Sequence, residues 1–91
     1  MKVYIAGAIT KNPNYVQQFS DAEKHLVAMG HAVINPVKNN GFSYKEYIDM
    51  GLCELMRCDA IYLLPGWKES FGACLEYNYA TITGLKILKG E

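Results

Sequence analysis

The sequence predicts an α/β fold: a small doubly wound parallel sheet of the Rossmann or flavodoxin type, strand order 2-1-3-4, with three helices. Three observations carry this. Short runs rich in β-branched and aromatic residues, KVYIA, HAVINP, DAIYLLP and LKIL, alternate with longer segments of helical period. The connections between them are short, which favours parallel β-α-β units with right-handed crossovers. No internal repeat and no linker interrupts the alternation, so residues 1–91 are expected to form one domain.

Each element has its own local reason. KVYIA, residues 2–6, is a buried strand that stops at Gly7. Helix one covers residues 12–30, with Asn12 as N-cap, Pro13 at the first helical position, Val16, Phe19, Ala22, Glu23 and Leu26 at helical spacing, and Gly30 closing it. HAVINP, 31–36, is a second short strand ended by Pro36, and VKNNGF, 37–42, is a turn-rich loop. Ser43 and Glu46 form a capping-box signature before Tyr47, Ile48, Gly51, Leu52 and Leu55, so helix two runs to about Arg57. DAIYLLP is strand three, entered at Asp59 and left at Pro65. Ser70 or its neighbour caps helix three, which continues to Gly84, and LKIL is the last strand. In this strand order the winding reverses between strands one and three. The loops GAIT, 7–10, and PGWKESFG, 65–72, then flank one crevice of the kind in which such sheets bind ligands.

Composition narrows the function. Apolar residues make up 51% of the chain, as in folded globular proteins. Nine basic residues balance nine acidic ones without a Lys/Arg cluster, so polymeric nucleic acid is not an expected partner. Three cysteines, Cys53, Cys58 and Cys74, suit buried free thiols in a reducing compartment, and a cytosolic location is expected. His25 and His31 lack metal-site spacing, and the opening MKVYIAGAI has too short an apolar run for a signal peptide or a membrane span. Neither metal, cofactor nor membrane is expected.

Helix three raises the chemical question. Ala73, Tyr77, Ala80 and Gly84 fall on one stripe that lets the helix lie close to the sheet, and Glu76 sits beside that stripe, leaning back toward the crevice. A carboxylate at the edge of an apolar face is costly unless it is paired, hydrogen-bonded or protonated. A salt bridge to Lys68 or Lys11, or solvation at the rim, would account for it, and so would a catalytic role. Ser70 and Gly72 bring a hydroxyl and open backbone amides to a helix start, which suits phosphate, carboxylate or sugar oxygens, or simply caps the helix. Gly7 admits a ligand to the backbone or makes a turn, and Trp67 stacks on a base or packs against its own loop. No full dinucleotide or triphosphate fingerprint is present.

VYIAGAIT, GHAVINP and CDAIYLLPGWKESFGACLEYNYA, in that order and across nearly the whole chain, resemble the nucleoside 2-deoxyribosyltransferase-like superfamily, in particular its short bacterial and phage members. The superfamily includes deoxyribosyltransferases and 2'-deoxynucleoside 5'-phosphate N-hydrolases. Its specific signature here is Ser70, Gly72 and Glu76 following a strand that opens with Asp59. The resemblance implies that Glu76 attacks the anomeric carbon of the sugar, and that water or a second base resolves the glycosyl-enzyme, as in retaining glycosidases. It implies contacts from Ser70 and Gly72 to the sugar 5' oxygen or 5' phosphate, and a wall beside sugar and base from Tyr4, Gly7, Ala8 and Ile9, with Asp59 and Trp67 also assigned to substrate. Two positions depart from the pattern. Ala8 stands where the hydrolases carry a serine, and Gly51 stands where many members carry an aspartate that assists the leaving base. Asp49 lies about 200° round a helix from Gly51 and does not replace it.

The reading is therefore cleavage or transfer of the N-glycosidic bond of a nucleoside or nucleoside 5'-monophosphate, with a non-catalytic nucleotide-binding protein as the alternative. Leu75, Tyr79 and Ile82 form a second apolar stripe on helix three, which predicts a homodimer or higher homo-oligomer unless the VKNNGFSY segment covers it.

Overall fold

The computed structural model describes residues 1–38 and 41–90. The elements run β1 (Lys2–Ala6), α1 (Tyr15–Ala28), β2 (Ala32–Ile34), a 3-10 turn (Pro36–Lys38), α2 (Tyr44–Leu55), β3 (Ala60–Leu63), a second 3-10 turn (Trp67–Glu69), α3 (Phe71–Ile82) and β4 (Lys86–Lys89). All strand pairs are parallel and the order is β2-β1-β3-β4, as the sequence predicts.

Alternation along β1 divides the core. Val3 and Ile5 face α1 and join Phe19, Ala22, Leu26, Ala60 and Leu64. Tyr4 and Ala6 face the other way and join Leu55 of α2, Ala73 and Ala80 of α3, and Cys58, Ile61 and Leu63. Full burial of side chains such as Phe19 or Leu26 contributes about 1.5–3 kcal/mol each. One helix therefore covers one face of the sheet, and two helices cover the other.

Several boundaries differ from the sequence reading, each for a local reason. Helix one begins at Tyr15, not Pro13, because Asn12 spends its side chain on the preceding turn: its Nδ2 donates to the Ala8 carbonyl and to Gln18 Oε1, both at 2.9 Å, and its Oδ1 accepts from the Asn14 amide. Strand two ends at Ile34, since Asn35 Oδ1 accepts the Val37 amide and turns the chain into Pro36. Of the turn-rich VKNNGF segment, Asn39 and Asn40 lie outside the described residues. Helix two has its capping box, with Ser43 accepting from the Glu46 amide and Glu46 from the Ser43 amide, but it ends at Leu55. Helix three ends at Ile82; Gly84, placed on the buried stripe by its spacing, instead takes a left-handed conformation that terminates the helix and is exposed. Strand four is Lys86–Lys89, one residue later than LKIL.

Candidate functional site

The site begins with the strand pleat. Because Val3 and Ile5 are committed to α1, Tyr4 must project between α2 and α3, where it is 2% exposed. Its hydroxyl donates to Glu76 Oε2 at 2.6 Å. Glu76 is 9% exposed and shares the buried face of α3 with Ala73 and Ala80. Lys68, offered above as an ion-pair partner, instead lies 5.9 Å from the Trp67 ring. The partner of Glu76 is thus a phenol 72 residues away in sequence.

Gly51 of α2 closes the other side. A methyl group at this position would stand 2.5 Å from Glu76 Oε2 and 2.7 Å from Tyr4 Oη, so no side chain fits while the pair keeps this geometry. The space an α2 side chain would fill holds the carboxylate itself. Asp49 is exposed on another face of the helix.

Burial dominates the electrostatics. It pushes the Glu76 carboxyl up to about 7, with the Glu54 charge adding to the rise and the Tyr4 hydrogen bond opposing it. Burial first, then the neighbouring carboxylate, drives the Tyr4 hydroxyl far above its ordinary range, so it stays a neutral donor. Glu54, one turn beyond Gly51, is also raised by burial against the pull of Arg57, and its Oε1 is buried with no hydrogen-bond partner among the described residues.

Toward the start of α3, the seam between α2 and α3 carries small and polar groups. Ser70 caps α3, its hydroxyl accepting the Ala73 amide at 3.1 Å. By helix geometry the Phe71 and Gly72 amides have no partner within α3. A methyl at Gly72 would make only ordinary contacts, 3.7–3.8 Å from Tyr44 Oη, Ile48 Cγ1 and Ser70 Oγ, so glycine is not forced there as it is at position 51. Glu76 lies six residues, about 9 Å, along the helix from Ser70. Tyr4, Gly51 and Glu76 thus meet between the two helices, with Ser70 and Gly72 at the start of the helix that carries Glu76.

The remaining sequence candidates lie elsewhere. Gly7 is explained by packing: a methyl there would come within 2.9 Å of Leu64 Cδ1 and 3.3 Å of Phe19 Cζ. Ala8, Thr10 and Lys11 border a groove of ≈ 900 Å³ at the predicted switch point, with Gln18, Gly66 and Glu69, on the α1 side of the sheet. Ile9, 41% exposed, and Glu76 are not among its lining residues. Lys11 takes a left-handed backbone (φ 63°), a conformation costing a non-glycine residue about 1 kcal/mol, which nothing in the sequence announces. Trp67 lays its ring against Tyr77, centroids 4.8 Å apart, and borders a hollow of ≈ 290 Å³. Asp59 is at the opposite, N-terminal end of the strands, accepting the Lys2 amide at 2.9 Å. Its place before β3 separates it from the C-terminal ends of the strands by the length of that strand, about 13 Å.

Leu75 and Ile82 of the second α3 stripe are 43% and 84% exposed, while Tyr79 turns inward against the core. Among the described residues, no three His, Cys, Asp or Glu side chains are grouped to hold a metal ion, and no helix is long and apolar enough to cross a membrane.

Comparison with known proteins places this geometry in context. The family described as a domain of unknown function, DUF4406, matches residues 1–89. No curated protein matches the sequence. A 2-deoxyribosyltransferase from Bacillus psychrosaccharolyticus superposes with a TM-score of 0.79 at 21% identity, over 98% of this chain and 71% of that one. A CMP N-glycosidase from Clostridium botulinum, BcmB, superposes with a TM-score of 0.72 at 22% identity, over 98% and 70%. The fold is that of the nucleoside 2-deoxyribosyltransferase-like proteins.

Proposed function

The chain belongs to the DUF4406 family, a domain of unknown function, and on that premise we propose that it cleaves or transfers the N-glycosidic bond of a nucleoside or nucleoside 5'-monophosphate. The observation that carries this reading is the buried Glu76 carboxylate, held by Tyr4 Oη at 2.6 Å in a fold shared with a deoxyribosyltransferase and a CMP N-glycosidase.

In this reading residues 1–91 act as one domain. The ionised Glu76 oxygen attacks C1' of the sugar; the C1'–N bond breaks, its electron pair leaves with the base, and the base takes up a proton from solvent. Water or a second base then attacks C1', gives its proton to solvent and releases the carboxylate. Tyr4 holds the nucleophile in one rotamer. Ser70 and the open amides at the start of α3 receive the sugar 5' oxygen or phosphate, favoured by the positive end of the helix dipole. Gly7, packed against Phe19 and Leu64, and Ala8, on the groove at the α1 side, are left out together with Ile9. Asp59 and Trp67 are left out, the first by its position at the far end of the strands, the second because its ring is spent on Tyr77.

A nucleophile whose carboxyl titrates near 7 works from its ionised form, so base release rises with pH through about 7. The test is chromatographic measurement of free base from a panel of deoxynucleosides and their 5'-monophosphates between pH 5 and 9, with Glu76→Ala alongside. Release by the native protein, falling at least a hundredfold in the variant, supports the proposal; equal release from both would sink it.

The near-complete burial of Glu76 and the missing acid at Gly51 favour a second reading, a protein that binds a nucleotide without turnover. Calorimetric binding of a monophosphate by a protein that releases no base would select it. In either case the partner is a small molecule, the expected compartment is the cytosol, and the exposed apolar side of α3 is assigned to self-association.

A further inference from the structure

We propose that Glu54 is a positioning residue for Glu76: a second carboxylate, one helical turn along α2 from Gly51, whose charge controls the ionisation of the Tyr4–Glu76 pair. The inference takes its chemical meaning from the reading above, in which Glu76 reacts as an anion, but the coupling between the two acids is measurable whether or not the protein turns over.

The geometry starts at Gly51, whose Cα faces Glu76 Oε2 and Tyr4 Oη closely enough that no Cβ fits. Side chains three and four residues further along a helix lie on the same face, with Cβ atoms about 5–6 Å on. Leu55, four residues on, is 0% exposed and in the same core cluster as Tyr4, which fixes the direction of that face. Glu54, three residues on, shares it. Its Oε1 reaches neither solvent nor any hydrogen-bond partner among the described residues. An unsatisfied carboxylate oxygen in such a place is tolerated by protonation or by transferring the electrostatic cost to its neighbours.

The groups around it are few. From β1 comes the neutral Tyr4 phenol, and from α3 comes Glu76. Beyond the end of α2, Arg57 is the cation that favours the ionised form of Glu54. Cys58 donates its thiol to the Glu54 backbone carbonyl at 3.4 Å and is held neutral by burial, with Lys2 and Asp59 beside it. Burial outweighs Arg57 and raises Glu54, and whenever Glu54 is ionised its charge resists the ionisation of Glu76, so the two carboxyls are coupled. The effect on catalysis is specific: with Glu54 ionised, Glu76 becomes a stronger base and a more reactive nucleophile once it does lose its proton.

The test is a side-chain carboxyl ¹³C NMR titration of the whole protein, with Glu54→Gln and Glu54→Asp compared with the native chain. In the native protein the Glu54 and Glu76 resonances should each show two inflections, reporting each other's proton. In Glu54→Gln the Glu76 midpoint should fall by about one pH unit, with a single inflection, and Glu54→Asp should restore most of the shift. Where base release is present, its acid limb should move with the midpoint while KM stays within twofold. Independent single inflections in the native protein, or an unmoved Glu76 midpoint in folded Glu54→Gln, would overturn the proposal. The native titration decides the matter even if a variant fails to fold. A protein that releases no base but shows the coupled titration would leave this inference standing and remove the glycosidase reading.

Discussion

Glu76 is anchored by one neutral donor where a solvated carboxylate would have several, and this has a thermodynamic consequence. In the unfolded chain its carboxyl titrates near 4.5, in the folded protein near 7. Below both values the two states bind the same proton. Between them the unfolded chain releases its proton while the folded protein keeps it, so stability falls as pH rises, and above about 7 the loss is complete at about 3 kcal/mol. Glu76→Gln keeps the shape and an acceptor for Tyr4 but has no charge to bury. It should abolish base release yet be more stable than the native protein by up to about 3 kcal/mol at pH 8, with little difference at pH 4. Urea unfolding at the two pH values measures this, and equal pH slopes would refute it. The exceptional character of Glu76 is legible in the sequence, because an acid between Ala73 and Ala80 interrupts a stripe of small residues. Its partner is not, since nothing local connects position 76 to a tyrosine on the first strand. Gly51 reads in sequence only as a missing acid; the structure adds that its bareness makes room for Glu76.

Among the elements, both helices that flank the site start on a serine cap, and the two caps do different work. Ser43 and Glu46 satisfy each other's backbone amides on an exposed helix start, and those hydrogen bonds hold the Glu46 carboxyl below its usual range. Ser70 accepts from Ala73 at the end of the helix that carries Glu76. Ser43→Ala and Ser70→Ala should each cost about 1 kcal/mol in thermal or urea unfolding. Only Ser70→Ala should also weaken monophosphate binding, by tenfold or more in calorimetry, because it removes a hydroxyl from the proposed 5' subsite. Equal ligand affinity in the two variants would reduce Ser70 to a cap. These starts are readable because capping is a short-range code; the start of α1 is not, because Asn12 has competing uses, and its bonds to Ala8 and Gln18, four and six residues away, decide between them.

At the level of the whole molecule, the observed strand order is the usual small doubly wound arrangement expected from the sequence, one of few that right-handed parallel crossovers leave for four strands. The sequence could not separate the crevice at the switch point from the gap that holds Glu76. The division of β1 residues between the two faces assigns one to α1 and the other to α2 and α3. The outer side of α3 leaves Phe71, Leu75 and Ile82 at 90%, 43% and 84% exposure beside the candidate site. Burying them against a second copy is the expected use of that surface. Light scattering at micromolar concentration should give a mass above that of one chain, and Leu75→Glu with Ile82→Glu should return it to one. A monomeric native protein would exclude this assembly.

β1 is paired on both of its edges, with β2 and with β3, whereas β2 contributes three residues at the rim of the sheet. Deuterium should therefore reach the Tyr4 and Ile5 amides only through opening of the entire domain, while the Ala32–Ile34 amides exchange by local fraying. The phenol that steadies the carboxyl is tied to the slowest-exchanging strand, so its grip should persist for as long as the protein remains folded.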